Sequence, residues 1–276
     1  VDWGKKGEIL NVDEIPYVKN GAKITAYFPA TIFVPEIIPA IKHQVEGLKA
    51  FGLAVAPAEV TTDKVDETNW ATEWQKYYHP VQVTRFLTVV PSWEDYQPKT
   101  KDERIIRLDP GMAFGTGTHP TTKLSMQALE LVIHGGESMI DVGTGSGVLS
   151  ITAKQLGAGD IRAYDLDQVA VDSAKKNLAL NPVAADITVA ANNLLTGIQG
   201  EADIIVANIL PDVILPLIPQ AWGLLPVHGY FITSGIITEK LDQVLDAQRK
   251  QGFKILQTLN MGDWYGVIAQ RQGADD

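Results

Sequence analysis

From residue 104 onward, short runs of aliphatic and β-branched residues alternate with longer segments whose apolar positions recur every three or four residues. The runs 105–108, 138–142, 161–165, 186–190, 203–207 and 229–233 read as strands, and 147–156, 168–180 and 212–222 read as helices between them. A further helix follows residue 122, carrying Leu124, Ala128, Leu131 and Val132. Asp167 is placed to cap the helix over 168–180, and Asn181-Pro182 to stop it. Thr238 is expected to cap a last helix, with Leu241, Val244 and Leu245 facing inward and Gly252 ending it. Two closing strands, 253–259 and 263–271, have only a turn near Gly262 between them and should pair antiparallel. Sustained strand–helix alternation predicts an α/β fold: a doubly wound, mostly parallel sheet with helices on both faces, seven-stranded from the run 138–142 onward.

The first hundred residues follow a different rhythm. Lys23–Phe28 reads as a strand, and Pro35–Phe51 as a helix with Ile38, Ile41, Val45 and Leu48 on one face and Gly52 as its stop. Val81–Val90 reads as another strand. These elements predict a small α+β module over residues 1–90, lacking its first elements. The segment 91–103, with Pro91, Pro98 and mixed charge, reads as a linker to a larger domain over 104–276.

Composition narrows the function classes. The chain has 276 residues, of which 45% are hydrophobic, enough for a substantial core. With 23 Lys and Arg against 33 Asp and Glu, the net charge of −10 disfavours broad contact with a nucleic-acid backbone. The same acidity can steer a basic protein partner. Cysteine is absent, which excludes disulfides and thiolate metal sites. The polar start Val1-Asp2-Trp3-Gly4-Lys5-Lys6-Gly7 does not look like a signal peptide. The apolar stretch 204–225 is interrupted by Asn208, Pro211, Asp212, Pro216 and Pro219, as in a buried strand and helix rather than a membrane span. A cytoplasmic protein is expected, with a monomer as the default.

Chemistry concentrates in Asp141-Val142-Gly143-Thr144-Gly145-Ser146-Gly147, between a strand and a helix, with Asp165 ending the next strand. Alternate glycines let the backbone turn sharply and approach a ligand closely. The helix start behind them presents free N–H groups. Asp165, 22 residues after Gly143, stands where a carboxylate can hold ribose hydroxyls. The third glycine comes one residue too early for the G-x-G-x-x-G of dinucleotide sites. A G-x-G-x-G loop behind an acidic residue is instead the pattern of S-adenosylmethionine (SAM) enzymes. Asp141 suits the ammonium of SAM and would repel a phosphate.

Asn208 opens the tetrad Asn208-Ile209-Leu210-Pro211 directly after a strand, where its amide oxygen can accept from an amine. Nucleobase and glutamine-amide methylating enzymes usually carry a proline second and an aromatic fourth in this tetrad. Ile209 and Pro211 stand there instead, which favours an aliphatic amine. In the segment 109–122, glycines surround Phe114 and His119, and Thr121-Thr122 open a helix. This suits either a lid over a ligand, with Thr122 reaching the cofactor, or an ordinary capped helix start.

The run from Asp109 to Thr122, the Asp141–Gly147 loop, Tyr164-Asp165-Leu166-Asp167 and Asn208-Ile209-Leu210 together resemble the bacterial ribosomal-protein methyltransferase family PrmA. The likeness is strong over about residues 104–271 and looser before that, through Asn69-Trp70-Ala71-Thr72-Glu73-Trp74-Gln75-Lys76-Tyr77-Tyr78. It implies the class I, Rossmann-like SAM methyltransferase fold and a ferredoxin-like N-terminal recognition module, here incomplete. It further implies transfer of methyl groups to lysine ε-amines and an N-terminal α-amine of a large-subunit ribosomal protein. Carried over by position, Thr122, Gly143, Asp165 and Asn208 would bind SAM, with Asn208 and His119 facing the amine; Asp141 and Gly145 complete the expected cofactor set. Positioning and desolvation, rather than a strong general base, are expected to drive the reaction. Competing readings are a SAM-dependent RNA methyltransferase, a nicotinamide-dependent oxidoreductase and a non-catalytic module that keeps the fold.

Overall fold

The computed structural model describes residues 38–47, 49, 78–109, 115 and 117–273. The expected strand Lys23–Phe28, the segment 69–77 and Phe114 lie outside the described residues. The chain divides into two compact units, Val1–Lys76 and Tyr77–Asp276. In the first, the described element is helix α1 (Ile38–Gly47), inside the range read from the apolar spacing.

The second unit opens with a three-stranded sheet: β1 (Val81–Gln82), β2 (Leu87–Pro91) and β3 (Arg104–Leu108). The expected single strand over 81–90 is thus a hairpin. Its turn is held by the Thr84 hydroxyl, which accepts the N–H groups of Phe86 and Leu87, both at 3.1 Å. The expected linker 91–103 connects two parallel-paired strands, β2 and β3, inside the second unit. Buried Glu103 pins this crossover by accepting from Thr88 Oγ1 at 2.5 Å, from Tyr96 Oη at 2.6 Å and from the Lys99 N–H. The hydroxyls of Thr88 and Tyr96 hold its carboxyl down at about 2. A segment tied this way is no free hinge.

Strand and helix then alternate through α2 (Pro120–Val132), β4 (Met139–Val142), α3 (Val148–Leu156), β5 (Ile161–Asp165) and α4 (Gln168–Ala179). The series continues with β6 (Thr188–Ala191), β7 (Ile204–Asn208), α5 (Pro211–Leu224) and β8 (Tyr230–Ile237). It closes with α6 (Leu241–Gln251), β9 (Phe253–Met261) and β10 (Trp264–Arg271). Asp167 caps α4 by accepting the Val169 N–H at 2.9 Å. Thr238 instead begins a 3-10 turn, and α6 starts after Lys240.

The large sheet has the order β6-β5-β4-β7-β8-β10-β9, parallel except for β10, which runs antiparallel to both neighbours. It is the doubly wound, seven-stranded α/β sheet that the strand–helix alternation and the family resemblance predict. Side chains along each strand alternate between two cores. Met139, Ile161, Ala163, Ile204, Val206 and Ile232 join the cluster that includes Met126 and Leu129 of α2 and Leu149 and Ile151 of α3. Ile140, Val142, Ile205, Ala207 and Phe231 join the other, with Ile214 and Leu217 of α5 and Val244 of α6. At roughly 1.5–3 kcal/mol per fully buried aliphatic side chain, these two layers supply the main drive to fold. Among the described residues, no helix is long and apolar enough to cross a membrane.

Candidate functional site

Strand order reverses at β4, whose neighbours β5 and β7 lead to opposite halves of the sheet. In open α/β sheets a ligand crevice forms at such a point, beyond the carboxyl ends of the strands. Register puts the expected residues there side by side. Val142 pairs with Tyr164 and with Ala207, so Gly143, Asp165 and Asn208 emerge level on three adjacent strands. Asn208 pairs in turn with Ser234 of β8. The two-residue alternation also fixes direction: Asp141, Asp165 and Asn208 share parity with the residues that pack on α2 and α3.

Asp165 braces the glycine-rich loop. Its Oδ2 accepts the Gly145 N–H at 2.9 Å and its Oδ1 the Asp167 N–H at 3.0 Å. Each carboxylate oxygen retains acceptor capacity beyond these bonds, as a diol would require. Gly143 and Thr144 donate their N–H groups to the Tyr164 carbonyl at 2.8 and 3.0 Å, which folds the loop back over β5. Gly147 then begins α3.

Asp141 lies fully buried beneath this loop. Its Oδ2 accepts from Thr144 Oγ1 at 2.8 Å and Ser150 Oγ at 2.7 Å, whereas its Oδ1 has no protein partner. Burial pushes its carboxyl up to about 6, against the lowering effect of the two hydroxyls.

Asn208 and Thr122 face each other across the other side of the crevice. Asn208 Nδ2 lies 3.5 Å from Oγ1 of the buried Thr122, while its own Oδ1 is sealed from solvent and unbonded. A buried amide oxygen without a donor is costly and marks a place that a ligand can satisfy. His119 is the N-cap of α2, with Nδ1 2.7 Å from Thr121 Oγ1 and 3.3 Å from the Thr121 N. Its ring meets the indole of Trp264 edge-on at 4.9 Å. Trp264 comes from the start of β10, far away in sequence, and no local signal in the chain announces it.

Ile209 determines how closely the two sides approach. A side chain on Gly143 (φ +73°) would collide with the Ile209 Cγ2, and one on Gly235 (φ +85°) with the Ile209 backbone carbonyl. Gly235 is the extra residue of a bulge in β8, where Ser234 pairs with Gly266 and Ile236 with Tyr265. Ser234, also missed in the sequence, donates toward the carbonyls of Thr121 (3.1 Å) and Tyr265 (3.2 Å) and so ties the start of α2 to the sheet. Exposed Leu166 and Val169 flank Asp165, and exposed Leu210 follows Ile209.

The residues present fit SAM. The orphaned Oδ1 atoms of Asp141 and Asn208, the diol-ready carboxylate of Asp165 and the glycine loop match an ammonium, an amine and a ribose.

Comparison with known proteins bears on the family and the fold. The model of a family described as ribosomal protein L11 methyltransferase (PrmA) matches residues 3–272. A protein of that name from Levilactobacillus brevis is 61% identical over 273 residues, covering 99% of this chain and 86% of that protein. The one from Bacillus subtilis is 49% identical over 265 residues, covering 96% and 85%. A crystal structure of ribosomal protein L11 methylase from Lactobacillus delbrueckii subsp. bulgaricus superposes with a TM-score of 0.68 at 41% identity, over 71% of this chain and 100% of that one. A precorrin-6y C5,15-methyltransferase from Geobacter metallireducens, at 16% identity and a TM-score of 0.50 over 56% of this chain and 90% of that one, shares the fold alone.

Proposed function

The chain belongs to the ribosomal protein L11 methyltransferase (PrmA) family, and on that premise we propose that it transfers methyl groups from SAM to a large-subunit ribosomal protein. The acceptors in this reading are lysine ε-amines and the N-terminal α-amine. The observation that carries it is Asn208 Oδ1, buried and without a donor, at the sheet edge shared with Gly143 and Asp165.

SAM, when bound, supplies a methyl group already activated by its sulfonium. Asp165 holds the nucleoside diol, the glycines at 143 and 145 let the loop backbone come close to it, and Leu166 and Val169 offer apolar cover beside it. Asp141 provides the anionic partner for the ligand's ammonium. Thr122 positions the Asn208 amide, so that Oδ1 accepts an N–H of the substrate amine and aims its lone pair along the transfer direction. Such orientation converts an encounter into an effectively unimolecular step.

The amine must be neutral to react. For a free lysine that costs about 4.6 kcal/mol at pH 7, and for an α-amine about 1 kcal/mol. Desolvation next to a positive charge lowers both costs, since burial and like charge disfavour the ammonium. His119 and Trp264 wall the crevice; with Nδ1 of His119 engaged at the α2 cap, this reading assigns no strong general base. Ile209, the exposed aliphatic Leu210 and Pro211 give the tetrad no aromatic side chain to stack on a planar base, which supports an aliphatic amine over RNA. The acidic surface suits a basic protein.

Incubation with methyl-labelled SAM and whole ribosomes, followed by mass spectrometry, tests the proposal. Label on amines of one large-subunit protein is expected, and label on rRNA alone would refute it.

A further inference from the structure

The outer edge of β3 is covered by asparagine side chains where a strand might have been. β3 pairs with β2 along one edge. On the other, Asn181 Oδ1 accepts the Arg107 N–H at 2.9 Å and its Nδ2 donates to the Arg107 carbonyl at 2.8 Å. Two residues further along, Asn177 Oδ1 accepts the Asp109 N–H at 2.8 Å. A two-residue step is the repeat at which one strand edge presents its peptide groups. Asn177 and Asn181, one helical turn apart, therefore match that repeat with side-chain amides.

Asn177 does more than cover an edge. Its Nδ2 donates to the carbonyl of Ser146 at 2.9 Å, inside the glycine-rich loop. Ser146 passes the connection on by giving its hydroxyl to the Gly115 carbonyl at 2.7 Å and accepting the Val148 N–H at 3.3 Å. Ala174, one turn earlier on α4, packs against Gly147 so closely that a Cβ there would sit 3.3 Å from its own. Asn177 and Ser146 are both about 1% exposed. A buried amide is tolerated because these bonds satisfy it, whereas an apolar side chain would fill the space without directing the loop.

We infer that Asn177 is a positioning residue for cofactor binding: it sets the Ser146 peptide, and through it the path of the 143–147 loop, by reference to the end of β3. The small sheet then acts as the rest against which the loop is held in its binding shape. This inference rests on the reading of that loop as the SAM site.

Two asparagine-to-aspartate variants separate positioning from general support. Asn177→Asp keeps an acceptor for the Asp109 N–H but sets a carboxylate oxygen against the Ser146 carbonyl. Asn181→Asp sets a carboxylate oxygen against the backbone carbonyls of Arg107 and Asn177, one turn away and with no bond to the loop. Affinity for S-adenosylhomocysteine is measured by calorimetry beside thermal unfolding, and kcat at saturating SAM beside KM. Loss of one buried hydrogen bond with its partner stranded corresponds to roughly tenfold in affinity. Asn177→Asp is expected to weaken binding by about that factor or more with kcat within about twofold. Asn181→Asp is expected to lower the melting temperature and leave affinity unchanged. Asn177→Ala, which buries no charge, repeats the affinity loss and replaces Asn177→Asp if that variant does not fold. Wild-type affinity in either folded Asn177 variant, or equal loss in Asn181→Asp, overturns the inference. Failure of the unaltered chain to bind S-adenosylhomocysteine would instead overturn the cofactor reading, and this inference with it.

Discussion

Asn208 reaches Thr122 with its amide nitrogen at 3.5 Å and leaves its amide oxygen buried and unpaired. The two residues come from the end of β7 and the first turn of α2, 86 positions apart. In the proposed function the two ends of this amide divide the labour: nitrogen for orientation, oxygen for a ligand.

Asn208→Ala removes the acceptor and is expected to lower kcat by about 10²–10³-fold, the usual loss for one preorganised polar contact in a reaction centre. SAM affinity should change far less. Steady-state kinetics beside calorimetry checks this, and an undiminished kcat would remove Asn208 from the reaction.

Asp165→Ala strips the loop of its brace at the Gly145 N–H and the nucleoside of a charged acceptor. Hydrogen bonds to charged groups are worth about 1.5–3 kcal/mol, so SAM binding should weaken by roughly tenfold to a hundredfold. Equilibrium dialysis with labelled SAM reads the change directly.

Gly235→Ala tests the bulge in β8. The new methyl group meets the Ile209 carbonyl at a positive φ, so a cost of roughly 1–3 kcal/mol is expected from urea unfolding. Gly262→Ala is the comparison, because Gly262 also has a positive φ (+64°) but no atom stands within 4 Å of its Cβ position. Its cost should be confined to the backbone, about 1–2 kcal/mol. Only Gly235→Ala should also weaken SAM binding, since Ile209 follows Asn208.

Asp141 predicts a pH dependence of the ligand-free protein. Its folded-state value of about 6 lies above its ordinary 3.8, so the native state binds the proton more tightly than the unfolded chain. That contribution to stability is fully present below about 3.8 and is lost as pH rises through about 6. Asp141→Asn should flatten this part of the stability profile, measured by urea unfolding between pH 4 and about 7.5. It should also weaken SAM binding at neutral pH, where the carboxylate charge is present.

The strand–helix series, the position of the glycine loop and the Asp167 cap were legible in the sequence because each is written locally. The hairpin within 81–91 was not. Its turn lacks Gly and Pro and relies on the Thr84 hydroxyl, so the residues merge into one apolar run. The crossover 91–103 looked like a linker because Glu103 reads as a surface charge until Thr88 and Tyr96 are brought to it. Gly143, Asp165 and Asn208 could each be placed at a strand end, but their common level depends on strand register. Trp264, Ser234 and Asn177 were missed for one reason. Each acts through a partner on a distant segment: His119, Thr121 and Ser146 respectively.

The placement of β10 bears on how the enzyme is made. Trp264–Arg271 follows the other six strands of the large sheet in the sequence yet belongs between β8 and β9. While the chain is still being translated, β8 has an open flank, β9 has no seat in the sheet and His119 lacks its indole. A nascent polypeptide therefore lacks the finished sheet beside the candidate site until residue 271 has cleared the exit tunnel, and until then its unpaired edge invites mispairing.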